Sequence, residues 1–169
     1  MKIKFTESLV IATGLILGIT ILMISLMRVT LDKAINDERL GQFREVPIVV
    51  GGKEIYKLPY SGKLPGEGLY FLKKIRNWGW EILSRKEQTK IELNLILADK
   101  KMSEAWTLFN QTQKQRALTA GSEAVDKLEY AHQLWRESGI DQESQERLQE
   151  KITEKKEVYK EILESWEKQ

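Results

Sequence analysis

SLVIATGLILGITILMISLM, residues Ser8 to Met27, is a run of twenty residues without a charge, closed by Glu7 on one side and Arg28 on the other. About 20 apolar residues at a helical rise of roughly 1.5 Å match the ~30 Å hydrocarbon core of a bilayer. Only a helix suits such a span, because each backbone N–H and C=O must find its partner within the segment. Gly14, Gly18, Thr20 and Ser25 are compatible with that reading, since small and hydroxyl residues are common in membrane helices. The stretch sets an address for the chain and leaves its chemistry open.

A cleaved signal would have a shorter apolar region and a small-x-small exit. Here the exit reads Ile24-Ser25-Leu26-Met27-Arg28-Val29-Thr30, so a retained anchor is expected. Gly14 to Gly18 has the G-x-x-x-G spacing that lets membrane helices approach, but the pattern arises often in apolar runs, and ordinary small residues account for it. Lys2 and Lys4 precede the span, while Arg28, Lys33 and Arg39 follow it, a nearly even balance for the positive-inside rule. The short basic N-terminus has the form of a signal-anchor. It places the N-terminus inside, and the bulk of the chain on the extracytoplasmic side of the cell membrane, crossed once.

About 140 residues follow the span, enough for one modest domain. The chain is 31% charged with a net charge of +2. Interspersed signs of this kind argue against a nucleic-acid surface, which needs a basic excess on one face. Cysteine is absent, which excludes disulfides and thiolate metal sites. The three prolines, Pro47, Pro59 and Pro65, lie close together, and from Leu69 to Gln169 there is none. That block is rich in Glu, Lys, Gln, Leu and Ala and should be helical.

Arg28 to Phe43 reads as a polar continuation of the anchor, with Leu31, Ala34, Ile35 and Leu40 on a loose helical face and Gly41 as its end. Val46 to Val50 and Lys53 to Leu58, joined by Gly51-Gly52, read as a small hairpin. A lone hairpin is marginal, so it should lean on helices or become an extended arm. A turn-rich connector follows to Gly68. In Leu69–Ser84, Leu72, Ile75, Trp78/Gly79 and Ile82 recur at helical spacing, flanked by Lys73, Lys74, Arg76 and Arg85. Trp78 and Trp80 could face a bilayer interface, but core placement of at least one is favoured.

A second helix is expected from Glu87 to about Gln113. Ile91, Leu95, Ala98, Met102, Ala105 and Phe109 form its seam, while Leu93, Leu97, Trp106 and Leu108 widen it toward a further neighbour. The polar Asn110–Gln115 stretch marks a turn. Ala117, Gly121, Ala124, Leu128, Ala131 and Trp135 give the next seam, with small residues that allow close approach and no 34-residue period that would signal a repeat array. Ser138-Gly139 stops that helix, and Asp141 is a suitable N-cap for the last. In the last helix Leu148, Ile152, Tyr159, Ile162 and Trp166 share a seam that Lys155 alone interrupts. The fold expected is therefore all-α: a tail (1–7), one transmembrane helix (8–27), a juxtamembrane segment (28–43), an extended or hairpin connector (44–68) and an antiparallel bundle of about four helices (69–169).

Leu58-Pro59-Tyr60 and Leu64-Pro65-Gly66-Glu67-Gly68-Leu69-Tyr70-Phe71-Leu72-Lys73, followed by Leu97-Ala98-Asp99-Lys100-Lys101-Met102-Ser103-Glu104-Ala105, resemble the bacterial domain-of-unknown-function family 5667. That family has an L-P-x-x-P-L-Y-x-L-K-like lead into a helix and then an A-[DE]-[KR]-R-x-x-E-A-like element. The resemblance covers roughly Leu58 to Ala131 and is strongest over 58–110. Gly68 stands where proline is common and Lys101 where arginine is common. It implies an envelope-associated helical domain behind one membrane helix, and it carries no catalytic residues.

No catalytic constellation is legible. His132 is the single histidine and has Glu129 and Arg136 at helical spacing, as a solvated face would. There is no Walker loop, no GxSxG elbow and no HExxH helix, and Gly51-Gly52 is too little for a phosphate cradle. Asp99 and Glu104 read as ordinary exposed helix charges rather than an acid–base pair. No enzyme activity, cofactor or metal is expected. The leading expectation is a membrane-anchored interaction or scaffold protein of the bacterial cell envelope, whose partners are the bilayer and a protein or a second copy, with no nucleic acid. Trp78, Trp80, Trp135, Tyr159 and Trp166 are the candidate interaction surface. The alternatives are a regulatory or sensory ectodomain binding an envelope component or ligand, and a lipid- or wall-binding module using Trp78, Trp80, Lys73, Lys74 and Arg76.

Overall fold

The computed structural model describes the backbone of residues 2–40 and 44–167, and the side chains of 9–37 and 44–166. It contains α1 (Lys2–Leu40), β1 (Glu45–Val50), β2 (Lys53–Pro59), α2 (Tyr70–Leu83), α3 (Glu87–Asn110), α4 (Lys114–Glu137) and α5 (Gln142–Glu167). The fold is mostly helical, with one small hairpin. The four helices expected after the connector are present.

Helix α1 runs without a break through the apolar stretch and the polar segment behind it. The expected tail is helical from Lys2, and the expected end at Gly41 lies outside the described residues, as does the side chain of Leu40. From Leu9 the helix is long and apolar enough to cross a membrane, and its apolar stretch stands clear of the rest of the protein. Its last turns do the opposite. Leu31, Ala34 and Ile35 are buried with Trp80, Leu93, Ile96 and Leu97 in a small second core. One helix thus carries an uncovered apolar half and a half built into the domain.

The hairpin is antiparallel, and both turn glycines have positive φ, Gly51 at 60° and Gly52 at 80°. That pair of values is the combination a type I′ turn requires and that side chains resist. Ile48 pairs with Tyr56 and Val49 with Glu54, so Ile55 is the extra residue of a bulge. The hairpin leans on the helices, since Ile48 and Leu58 are fully buried in the main core.

Helix α3 is the central element. Every residue from Ile91 to Asp99 is buried, because the helix serves two cores at once. Ile91, Leu95, Ala98, Met102, Ala105 and Leu108 face the main core, and Leu93, Ile96 and Leu97 face the smaller one. Of the residues read as widening the seam, Leu93 and Leu97 meet this second neighbour, whereas Leu108 and Trp106 belong with the main core. Helix α4 lays its small residues on α3, with Ala117, Ala120, Gly121, Ala124 and Ala131 all buried. A Cβ at Gly121 would stand 3.1 Å from Leu163 and 3.5 Å from Trp166. Gly121→Val is therefore expected to lower stability by about 1–3 kcal/mol through overpacking, measured as a loss in urea unfolding of the protein in detergent. A neutral effect would mean that α4 and α5 do not meet there.

The chain reversals follow local chemistry. Asp141 Oδ1 accepts the Ser144 amide at 2.9 Å, capping α5 as its position suggests. Those bonds from Ser144 hold the Asp141 carboxyl below the usual carboxylate range. In the connector, Arg116 of α4 donates to the Pro65 carbonyl, and Lys73 of α2 donates to the carbonyls of Ser61 and Lys63. These contacts tie the loop to two helices.

Candidate interaction surface

Two buried charge networks radiate from α3. In the first, Asp99 takes Lys155 Nζ on one carboxylate oxygen and the Tyr159 hydroxyl, at 2.7 Å, on the other. All three side chains are buried, and Tyr56 of β2 lies over Lys155, its ring centroid 6.0 Å from Nζ. Burial pushes the Tyr56 phenol up, with Lys155 opposing. In the second network Glu104, fully buried, is bound by Lys73 on Oε1 and by Lys101 on Oε2 at 3.1 Å. The Tyr70 hydroxyl donates to Glu104 Oε2 at 3.3 Å and accepts from Lys101 at 2.9 Å, while Lys101 also reaches Glu123.

These networks correct the reading of Asp99 and Glu104 as exposed charges. Each carboxylate is an internal tie, Asp99 to α5 and Glu104 to α2. Burial pulls Lys73 below the usual lysine range, with Glu104 opposing. Burial also acts downward on Lys101, but its bonds to Glu123 and Tyr70 and the charge of Glu104 outweigh it, so its pKa is raised. Burial likewise pushes Tyr70 up. Glu104→Gln keeps the shape and removes the charge. It is expected to cost about 2 kcal/mol, in the range for a hydrogen bond to a charged group, read in the same urea unfolding. A change below about 0.5 kcal/mol, the size usual for surface substitutions, would contradict the buried tie. The sequence held one pointer, Lys155 standing alone in an apolar seam, since a lysine buried there requires a carboxylate across from it.

The five side chains put forward as an interaction surface do not come together. Tyr159 and Trp166 are interior, and Trp166 stacks on Phe109 with centroids 4.7 Å apart. Trp80 is buried in the second core. Trp135 is half-buried, donating Nε1–H to the Gln145 carbonyl at 3.0 Å and stacking on His132. His132 is itself partly covered, with Nδ1 3.0 Å from Lys156 Nζ. Only Trp78 of the five is an exposed side chain, at 64%. Three of the five, Trp80, Tyr159 and Trp166, are therefore core side chains.

Around Trp78 lies the surface that the sequence placed differently. Phe71, Ile75, Trp78 and Ile82 are all exposed, at 57%, 44%, 64% and 58%. Their spacing of four, three and four residues puts them on one face of α2. Trp80 and Lys73, on the opposite side, point into the protein, toward the second core and Glu104. One flank touches α1, where Gly79 lies against the Met27 side chain, and the other touches α4 through Glu81 and Lys127. The amphipathic stripe of α2 is thus turned outward. Arg76 and Lys100 lie over the Trp80 ring, at 4.4 Å and 5.6 Å from its centroid.

An open hollow of about 680 Å³ runs along α4 from Asp126 to Glu137, and the described residues that line it all belong to that helix. Among the described residues, no three histidine or carboxylate side chains converge as a metal ligand set would. The chain matches no family model, no curated protein and no solved structure, so its functional reading rests on its own residues.

Proposed function

We propose that this protein is a membrane-anchored interaction or scaffold protein of the bacterial cell envelope, crossing the cell membrane once and presenting its helical domain on the extracytoplasmic side. The observation that carries the reading is the continuity of α1. Its apolar stretch is uncovered, and its next turns are locked into the domain through Leu31, Ala34 and Ile35 and through Thr30, whose hydroxyl accepts the Trp80 indole N–H at 3.1 Å. A span fused in this way to the fold supports a retained anchor that holds the domain close to the bilayer. The buried ion pairs around Asp99 and Glu104 serve the bundle's own cohesion, and the working surfaces are its helix faces, so binding rather than catalysis is the proposed role. Its partner is a protein or a second copy.

The test uses the absence of native cysteine. Gly139 is exposed, and a Cβ there meets nothing within 4 Å, so Gly139→Cys offers one accessible thiol. A membrane-impermeant maleimide should label it in intact cells. Labelling only after lysis would place the domain in the cytoplasm and overturn the compartment. Amine cross-linking in membranes should then give a band larger than the monomer, and a strictly monomeric band would remove the self-association version.

A further inference from the structure

Contacts along α1 follow an order. The charge-free stretch ends at Met27, which meets Gly79 of α2. One turn on, Thr30 accepts the Trp80 indole N–H. Beyond it, Leu31, Ala34 and Ile35 reach Leu93, Ile96 and Leu97 of α3. Helix α2 therefore meets α1 where the apolar stretch ends, and α3 lies farther along. Trp80 extends from α2 into this farther cluster, away from the apolar stretch. Phe71, Ile75, Trp78 and Ile82 stand on the side of α2 opposite Trp80, and so face back toward the apolar half of α1.

We propose that α2 is an interfacial helix whose Phe71–Ile75–Trp78–Ile82 face lies in the headgroup and upper acyl region of the bilayer, so that the partner of this face is lipid. The proposal rests on the anchor reading of α1. An amphipathic helix whose apolar side carries Trp and Phe is the form that settles in the membrane interface, and indole rings are favoured at that depth. Four large apolar side chains left in water would be a liability for a monomeric protein. The earlier grouping of Trp80 and Lys73 with Trp78 as lipid contacts does not hold, because both point inward.

The test is depth measurement by site-directed spin labelling of the full chain in nanodiscs of phosphatidylcholine with a minority of phosphatidylglycerol. Ile75→Cys reports the stripe, Ile19→Cys the proposed span, and Tyr130→Cys an exposed position on α4; Phe71→Cys repeats the stripe measurement if Ile75→Cys fails to fold. At Ile75→Cys, accessibility to oxygen relative to a water-soluble nickel chelate should exceed that at Tyr130→Cys severalfold and fall below that at Ile19→Cys. An aqueous value at Ile75→Cys with a lipid value at Ile19→Cys would overturn the interfacial helix and leave the anchor standing. Aqueous values at both would overturn the anchor as well. Spin–spin broadening at Ile75→Cys with both reagents excluded would assign the face to a second copy and overturn the lipid assignment.

Discussion

Asp99→Ala is expected to destabilise the domain by about 4 kcal/mol, in the range for breaking a buried ion pair by removing one partner. The loss is large because Lys155 is 3% exposed and holds its place in the α5 seam through that carboxylate. Tyr159, also interior, loses the acceptor that stands 2.7 Å from its hydroxyl. The effect should appear in urea unfolding of the protein in detergent as a lower midpoint with an unchanged slope. A paired variant tells the mechanism apart from simple loss of packing. Asp99→Leu combined with Lys155→Met removes both charges and keeps the volume, and such exchanges are often neutral or better. The pair should therefore recover most of what Asp99→Ala loses, short of roughly 1 kcal/mol for the hydrogen bond that Tyr159 made to Asp99. A double variant no better than Asp99→Ala would contradict the charge-burial account.

Trp166→Ala is the second large effect, a loss of about 3–5 kcal/mol, as for other large aromatic truncations in cores. Trp166 is 1% exposed, stacks on Phe109 of α3 and lies next to the small residue Gly121 of α4. It therefore joins three helices near the chain's C-terminal end. Trp166→Phe retains most of the apolar contact and should cost much less. If Trp166 were instead a recognition side chain, Trp166→Ala would leave unfolding unchanged and weaken only partner capture. That outcome would contradict its placement in the core.

The periodic parts of this fold were legible as sequence. The charge-free run from Ser8, the Gly51-Gly52 hairpin, the seams at Ile91 and Leu148 and the Asp141 cap each depend on local spacing or local chemistry, and each falls where it was read. The candidate surface was not legible in the same way. A stripe such as Phe71, Ile75, Trp78 and Ile82 has the spacing of a core face, and spacing does not say which side of the helix is covered. Trp78 and Trp80 are two residues apart, which on a helix puts them on well-separated faces, and only their neighbours decide which is buried. The same holds for Asp99 and Glu104. Their partners Lys155 and Lys73 lie on other helices, too distant in sequence for charge spacing along α3 to reveal them.

The central claim is that the uncovered half of α1 sits in a bilayer, and alkaline carbonate extraction of membranes from cells expressing the full chain tests it most directly. Carbonate strips proteins held at the surface by charge and leaves those held by a spanning helix. The protein should remain wholly in the membrane pellet and be released only by detergent, whereas recovery of the intact chain in the carbonate supernatant would contradict the claim.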